Sequence, residues 1–226
     1  MRILIVAAHP DDEVLGCGGT IAKLSREHEV HIGILGEGMT ARNVQREDVD
    51  PKALEGLHAR ARVAGHLLGS RSVLLEGLPD NRFDELPLLD VVKRVERWVN
   101  DLAPEVIYTH HQGDLNIDHV VTHRAVLTAT RPIASCPVRE IYAFEVPSST
   151  EWSFQRLGGA FCPIWFVGID DTIETKVQAM ESYESESRPF PHPRSPEALR
   201  AYARRWGSVV GLQAAEAFEL VRAVRP

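Results

Sequence analysis

The chain has 226 residues, a length that suits one α/β domain with a sizeable core. Hydrophobic residues make up 44% and charged residues 25%, which is ordinary for a soluble globular protein. The net charge of −7 argues against a nucleic acid or an anionic membrane as partner, because both need a basic face. The three cysteines form no C-x-x-C pair, which excludes a disulfide framework and a thiolate zinc knuckle and favours a reducing cytoplasm.

The sequence predicts a cytoplasmic protein with no integral membrane segment. No apolar stretch approaches the roughly 18 residues of a membrane span, and the N-terminal apolar run is too short for a signal-peptide core. No internal repeat, low-complexity tract or linker divides the chain, so we expect a single domain over residues 1–226. Whether the chain forms a homo-oligomer is left open.

Short β-branched runs alternate with amphipathic stretches, which is typical of a mostly parallel sheet covered by helices. The predicted strands are residues 3–8, 30–35, 72–75, 106–110, 141–146 and 165–169. The predicted helices include residues 54–68 and, with the clearest apolar face, residues 88–102. Residues 188–196 contain four prolines and predict a rigid extended loop, followed by a last helical region over residues 197–221.

Two polar clusters are expected to meet at one edge of this sheet. The first, His9 to Glu13, follows the first strand, and the second, His110 to His119, follows the fourth. In a doubly wound sheet of order 3-2-1-4-5 these strands are neighbours, and ligands bind in the crevice beyond their carboxyl ends. The order therefore predicts a metal site at the carboxyl ends of the first and fourth strands.

The types of residue in these clusters indicate metal chemistry. A buried carboxylate without a partner costs roughly several kcal/mol, so such groups usually hold a metal or move protons. His9, Asp12 and His119 supply three ligands and leave a fourth position for water, as in catalytic zinc sites. Asp11 is then free to act as general base, and Asp118 can orient an imidazole. A lone H-x-x-D would suggest only a helix cap, but two adjacent carboxylates followed by Glu13 exceed what a cap requires.

The same residues resemble a known family. The string A-H-P-D-D-E at residues 8–13, the glycines that follow (Gly16, Gly18 and Gly19) and the Asp118-His119 pair are similar to the PIG-L / LmbE-like zinc-dependent de-N-acetylases. The resemblance implies a Rossmann-like three-layer α/β sandwich and one Zn²⁺ per chain, held by His9, Asp12 and His119. It also implies Asp11 as the base, and removal of acetyl from N-acetylglucosamine-type sugars on lipids, thiols, oligosaccharides or other glycoconjugates.

One position departs from the family pattern. Many members carry histidine three residues before the zinc histidine, where this chain has Asn116. An amide can donate a hydrogen bond to an oxyanion but cannot act as a general acid. Asn116 is therefore a candidate catalytic residue, and either Asp11 makes both proton transfers or one of His110, His111 and His123 replaces the missing histidine.

Other polar residues are candidates for the second shell or for substrate binding, each also compatible with a surface or structural role. Tryptophans such as Trp152 are most often core residues, although a sugar ring can stack on an exposed one. The proline-rich arm, which bears Arg188, either covers its own site, reaches a neighbour's, or is a plain surface loop. The remaining candidates are Arg42, Asp80, Arg82, His110, His123 and, on the arm, His192, which lies between Arg188 and Arg194.

Three other functions remain open on the sequence. A phosphoesterase, or a hydrolase of another amide or ester, would keep the metal, but a two-metal phosphoesterase needs a second ligand set. A nucleotide-binding module is disfavoured, because the glycines lack the G-x-G-x-x-G spacing and the carboxylates would repel a pyrophosphate. A non-catalytic sugar-binding relative is suggested only by Asn116.

Overall fold

The computed structural model describes residues 1–43 and 45–225, so Val44 and Pro226 of the predicted 1–226 domain lie outside the described residues. The strands are β1 Arg2–Ala7, β2 Glu29–Gly36, β3 Ser72–Leu78, β4 Val106–His110, β5 Glu140–Phe144, β6 Trp165–Gly168 and β7 Ala215–Ala223. The helices are α1 Asp12–Leu24, α2 Pro51–Leu67, α3 Leu88–Leu102, α4 Ile117–Ala129, α5 Ile173–Ser182 and α6 Pro196–Val210.

The alternation of apolar side chains along β1 explains the layered architecture. Ile3 and Ile5 pack into one core with residues of α1, α2 and α5, whereas Leu4 and Val6 pack into a second core with residues of α3 and α4. Both faces of the strand are buried, as in sheets that carry helices on both sides. The predicted Rossmann-like three-layer sandwich is confirmed.

The order of strands positions the functional site. The described residues form one sheet of order β3-β2-β1-β4-β5-β7-β6. β1 pairs in parallel with β2 on one side and with β4 on the other, where Ile5 lies opposite Tyr108. The chain thus reverses its winding direction between β1 and β4, and the two predicted polar clusters leave the sheet at this switch point.

The C-terminal region differs from the sequence prediction. The expected helix over residues 197–221 is wrong beyond Val210, where Gly211 adopts a positive φ of 76° and ends α6. The chain then returns as β7, which pairs antiparallel with both β5 and β6. Its first half alternates small, acidic and apolar residues, and this pattern fits a strand better than a helix. In the part of the chain that the structure describes, no helix is both long and apolar enough to cross a membrane.

Candidate metal centre

The turn after β1 aims acidic side chains into a cavity. Asp11 occupies the N-cap position of α1 with φ 105° and ψ −30°, but its side chain makes no capping hydrogen bond. A non-glycine residue in this region is strained, and such strain typically occurs at functional sites. The Asp11 carboxylate therefore does not cap α1, and it lines the cavity instead.

Side-chain atoms of the three predicted ligands lie close together. One ligand atom each from His9, Asp12 and His119 lies within 4.8 Å of the other two, and all three residues are buried. Asp12 Oδ2 is 3.3 Å from His9 Nδ1 and 3.2 Å from His119 Nε2. Two imidazoles and a carboxylate at this separation suit a catalytic zinc ion, which takes three protein ligands and leaves one position open.

The second nitrogen of each imidazole faces another carboxylate. His9 Nε2 is 2.9 Å from Asp118 Oδ2, and His119 Nδ1 is 3.1 Å from Asp114 Oδ1. Asp118 also accepts hydrogen bonds from the backbone N–H groups of Asn81 and Phe83 at 2.6 and 2.9 Å. A carboxylate behind each metal-bound histidine is the arrangement that fixes its orientation.

The local charges favour a cation between these groups. Burial alone would lower the pKa of His119, but Asp12 and Asp114 raise it to about 9. Burial alone would raise the pKa of Asp12, but the neighbouring His119 and His9 hold it well below its usual range. A divalent metal supplies the same positive charge, and its binding releases such protons. The donor set therefore fits a zinc ion.

A second group that could hold a metal shares His9 with Asp80 and Asp118. Asp80 Oδ1 is 3.2 Å from His9 Nε2, on the side of the ring away from Asp12. Because Asp118 already accepts two backbone hydrogen bonds, its oxygens serve better as an anchor for His9 than as metal ligands.

The proline-rich arm covers its own site, which was one of the open alternatives. Arg194 donates from Nη1 to Asp11 Oδ2 at 2.7 Å and from Nε to Ser148 Oγ at 2.7 Å. Burial raises the pKa of Asp11 well above its usual value, although the Arg194 guanidinium acts against this rise. His192 does not reach Asp11 through any described contact, and packs instead edge-on against Trp152, with ring centroids 5.8 Å apart.

Asn116 has a structural contact as well as a place at the cavity. It is the N-cap of α4, where its Oδ1 accepts a hydrogen bond from the Asp118 N–H at 2.9 Å. Its Nδ2 donates to Asn81 Oδ1 at 2.9 Å. An amide has two N–H donors, so one remains for a ligand in the cavity that Asn116 lines.

The other predicted residues divide between the cavity and its surroundings. Arg42 and Asp80 line the cavity, and Arg42 Nη2 donates to both carboxylate oxygens of Glu186 at 2.6 and 2.5 Å. Arg82 is half-exposed, forms a 3.6 Å ion pair with Glu85, and is not among the described residues that line the cavity. A binding role for Arg82 has no support in this geometry.

The other three candidate histidines, at or after the end of β4, make their contacts within the protein and not in the cavity. His110 Nε2 accepts a hydrogen bond from the Ala8 N–H at 2.8 Å, and its ring stacks on His119 with centroids 4.0 Å apart. His123 Nδ1 lies 2.8 Å from the His110 carbonyl oxygen, and His111 Nδ1 lies 2.7 Å from Glu219. None of His110, His111 and His123 is among the described residues lining the cavity.

Sequence reasoning missed two acidic residues. Asp114 supports His119 and accepts hydrogen bonds from the hydroxyls of Ser149 and Thr150, the latter at 2.6 Å. Its position two residues before Asn116 was a signal that the sequence offered. Glu186, which pairs with Arg42 and lies 3.4 Å from Arg194, comes from a distant segment without a recognisable pattern.

These residues surround a cavity of about 550 Å³ at the carboxyl edge of β1 and β4. Fold and site together define an α/β protein with a buried cluster of His and Asp residues at its switch point that could hold a metal ion. The sequence model of the PIG-L family, described as GlcNAc-PI de-N-acetylase, matches residues 4–130, which include His9, Asp12 and His119. The chain belongs to this deacetylase family.

Individual proteins resemble the chain in sequence or in fold. YaiS of Escherichia coli, described as an uncharacterized deacetylase, is 28% identical over 189 residues, which cover 81% of this chain and 90% of that protein. The N,N'-diacetylchitobiose deacetylase from Pyrococcus horikoshii has a TM-score of 0.74 at 20% identity, over 98% of this chain and 84% of its own. The 4-carboxy-2-hydroxymuconate hydratase from Pseudomonas putida has a TM-score of 0.76 at 20% identity, over 100% of this chain and 98% of its own. Because a deacetylase and a hydratase share this architecture, these two structures establish the fold alone.

Proposed function

We propose that the chain is a zinc-dependent N-deacetylase that hydrolyses the N-acetyl group of an N-acetylglucosamine-type sugar or glycoconjugate. The observation that carries this proposal is the convergence of His9, Asp12 and His119 beside Asp11 in one cavity. Family membership supports the reaction, because the matching family is described as a de-N-acetylase.

One zinc ion per chain, held by His9, Asp12 and His119, would polarise the acetyl carbonyl and lower the pKa of a water molecule to roughly 7. The chain's own contribution begins with the orientation of the ligands. Asp118 behind His9 and Asp114 behind His119 fix the two rings, so that Nδ1 of His9 and Nε2 of His119 face Asp12. Loss of a carboxylate that holds a metal-bound histidine in this way typically lowers metal affinity or activity by about 10- to 100-fold.

Asp11 is the group that moves protons. It takes a proton from the attacking water and passes it to the sugar nitrogen as the C–N bond breaks, so that acetate and a free amine leave. The contact from Arg194 occupies Oδ2 and leaves Oδ1 for the water. Asp11 makes both transfers because His110, His111 and His123 are engaged with the protein.

Asn116 donates the hydrogen bond that stabilises the developing oxyanion. Its amide sits at the N-terminus of α4, fixed by the capping contact with the Asp118 N–H. A donor held in place before the reaction costs little reorganisation as charge develops.

Acetate release tests the proposal directly. The protein is incubated with simple N-acetylglucosamine glycosides, before and after treatment with a chelator, and bound metal is measured by elemental analysis. We expect activity to disappear with the metal and to return as zinc is added to one equivalent per chain. Undiminished acetate release from protein shown to be free of metal would contradict the proposal.

A further inference from the structure

Three large apolar side chains are exposed at the candidate metal centre. Leu115, Ile117 and Trp152 keep 48%, 42% and 43% of their surface accessible, and all three line the same cavity as His9 and Asp12. A scattered exposed apolar residue needs no explanation, but several around one cavity typically mark a binding surface. We call these three residues the apolar rim.

The local backbone explains why Leu115 and Ile117 project outwards. Asp114, Asn116 and Asp118 alternate with them along the chain. The buried Asp114 and Asp118 point into the protein towards His119 and His9, whereas Asn116 caps α4 at the edge of the cavity. The intervening side chains are left on the cavity side. The chemistry of the metal centre therefore fixes the position of the rim.

The two segments of the rim are tied together. Asp114, next to Leu115, accepts a 2.6 Å hydrogen bond from the hydroxyl of Thr150, two residues before Trp152. Trp152 is in turn braced by the ring of His192 on the arm. The rim is held in place before a ligand arrives, which reduces the entropy cost of binding.

Polar groups beside the rim are largely occupied by one another. Asn116 is bound to the Asp118 N–H and to Asn81, and Asn81 Nδ2 donates to Asp80 Oδ1 at 2.9 Å. A polar aglycone, such as a second sugar, needs free donors and acceptors at this point, whereas a hydrocarbon only needs apolar surface to cover.

We infer that the substrate carries a hydrocarbon aglycone, which lies against Leu115, Ile117 and Trp152 while the N-acetyl sugar occupies the metal end of the cavity. This inference rests on the proposed function and names the class of its substrate. The cavity, at about 550 Å³, is continuous from the metal ligands to the rim, so one molecule occupies both.

The test compares three substrates: the methyl glycoside of N-acetylglucosamine, its hexyl glycoside, and N,N'-diacetylchitobiose as the polar alternative. We expect the zinc-loaded protein to show a kcat/KM for the hexyl glycoside on the order of tenfold above that for the methyl glycoside. Ile117→Ser and Trp152→Ser should each reduce this ratio severalfold. Ile133→Ser is the matched control, because Ile133 is 65% exposed beyond the far end of α4, and it should leave the ratio unchanged.

Each other outcome overturns the inference. Equal kcat/KM for the methyl and hexyl glycosides, or a preference for the disaccharide, would refute the hydrocarbon aglycone and leave the deacetylase proposal standing. A hexyl preference that survives both Ile117→Ser and Trp152→Ser would place the hydrocarbon elsewhere. Acetate release from none of the three substrates would refute the proposed function, and the inference with it.

Discussion

Two clusters of buried charged residues contact α1, and they differ in whether their positive and negative charges match. The lysine cluster consists of Lys176 and Glu216, whose Nζ and Oε1 atoms are 2.6 Å apart. Lys176 also donates to the Leu15 carbonyl, and Glu216 accepts from the backbone N–H groups of Gly19 and Thr20. One acid meets one base, and its oxygens cap the second half of a helix that is interrupted at Cys17.

The metal-site cluster, by contrast, contains more acids than the protein's own cations can balance. Its members are His9, Asp11, Asp12, Asp80, Asp114, Asp118 and His119. Histidines aside, Arg194 is the one cation among the described residues whose side chain contacts a member of this cluster, Asp11. A buried pair that is complete within the chain supports the fold, whereas an excess of carboxylates calls for a cation from outside. The comparison predicts that substitutions of the ligands in the metal-site cluster change metal binding and that substitutions in the lysine cluster change stability.

The largest effect is expected from His119→Ala. Loss of one of three ligands should remove zinc from the isolated protein and reduce acetate release to background, with a circular dichroism spectrum like that of the parent. Bound zinc is measured per chain after dialysis. Arg82→Ala, a surface variant outside the cavity, is the control that should retain both metal and activity. Full zinc occupancy in the His119→Ala protein would refute the ligand assignment.

Asp11→Asn separates proton transfer from metal binding within the same cluster. The amide keeps the size of the side chain but cannot take a proton, so turnover should fall by about a hundred- to ten-thousand-fold. Zinc content should stay at the parental value because Asp11 is not among the three ligand atoms. The measurement is kcat beside zinc stoichiometry, and near-parental turnover would show that Asp11 is not the base.

The contrast also shows which parts of the molecule were predictable. The central strands and the meeting of His9, Asp12 and His119 follow from buried apolar runs and from strand order, because parallel strands of this fold open at one edge. The end of the chain was not predicted, because only the first half of β7 alternates as a strand does, and the pairing of β7 with β5 and β6 does not show in a local pattern.

Contacts between distant segments were also hidden. The arm was recognised by its prolines, but the sequence could not show that Arg194 rather than His192 reaches Asp11, 183 positions away. Glu186 and the pairing of Lys176 with Glu216 depend equally on tertiary packing. Sequence patterns thus predict which residues lie at the carboxyl edge of the sheet. Tertiary packing determines which oppositely charged partner each of them contacts.

Lys176→Met tests the lysine cluster. Removal of one partner leaves Glu216 buried without its cation, which should lower the free energy of unfolding by about 3–5 kcal/mol. Zinc per folded chain should not change, since neither residue belongs to the metal-site cluster. Denaturant unfolding with zinc analysis measures both, and the double variant Lys176→Met/Glu216→Gln should recover part of the loss. A Lys176→Met protein that lost zinc but kept its stability would contradict the prediction that the lysine cluster affects stability and not metal binding.

Asn116 has both a structural role and a proposed catalytic role, and different substitutions should separate the two. Asn116→Ala removes both the N-cap of α4 and the proposed oxyanion donor, so we expect about 0.5–2 kcal/mol less stability and about a hundred- to a thousand-fold lower turnover. Asn116→Asp keeps the capping oxygen without the N–H donor, and should therefore restore stability but not turnover. Asn116→His returns the residue of many family members and should retain activity. Zinc content should remain parental in all three variants, because Asn116 is not a ligand. If Asn116→Asp is as active as the parent, the residue only caps α4, and the oxyanion is stabilised by another group in the cavity.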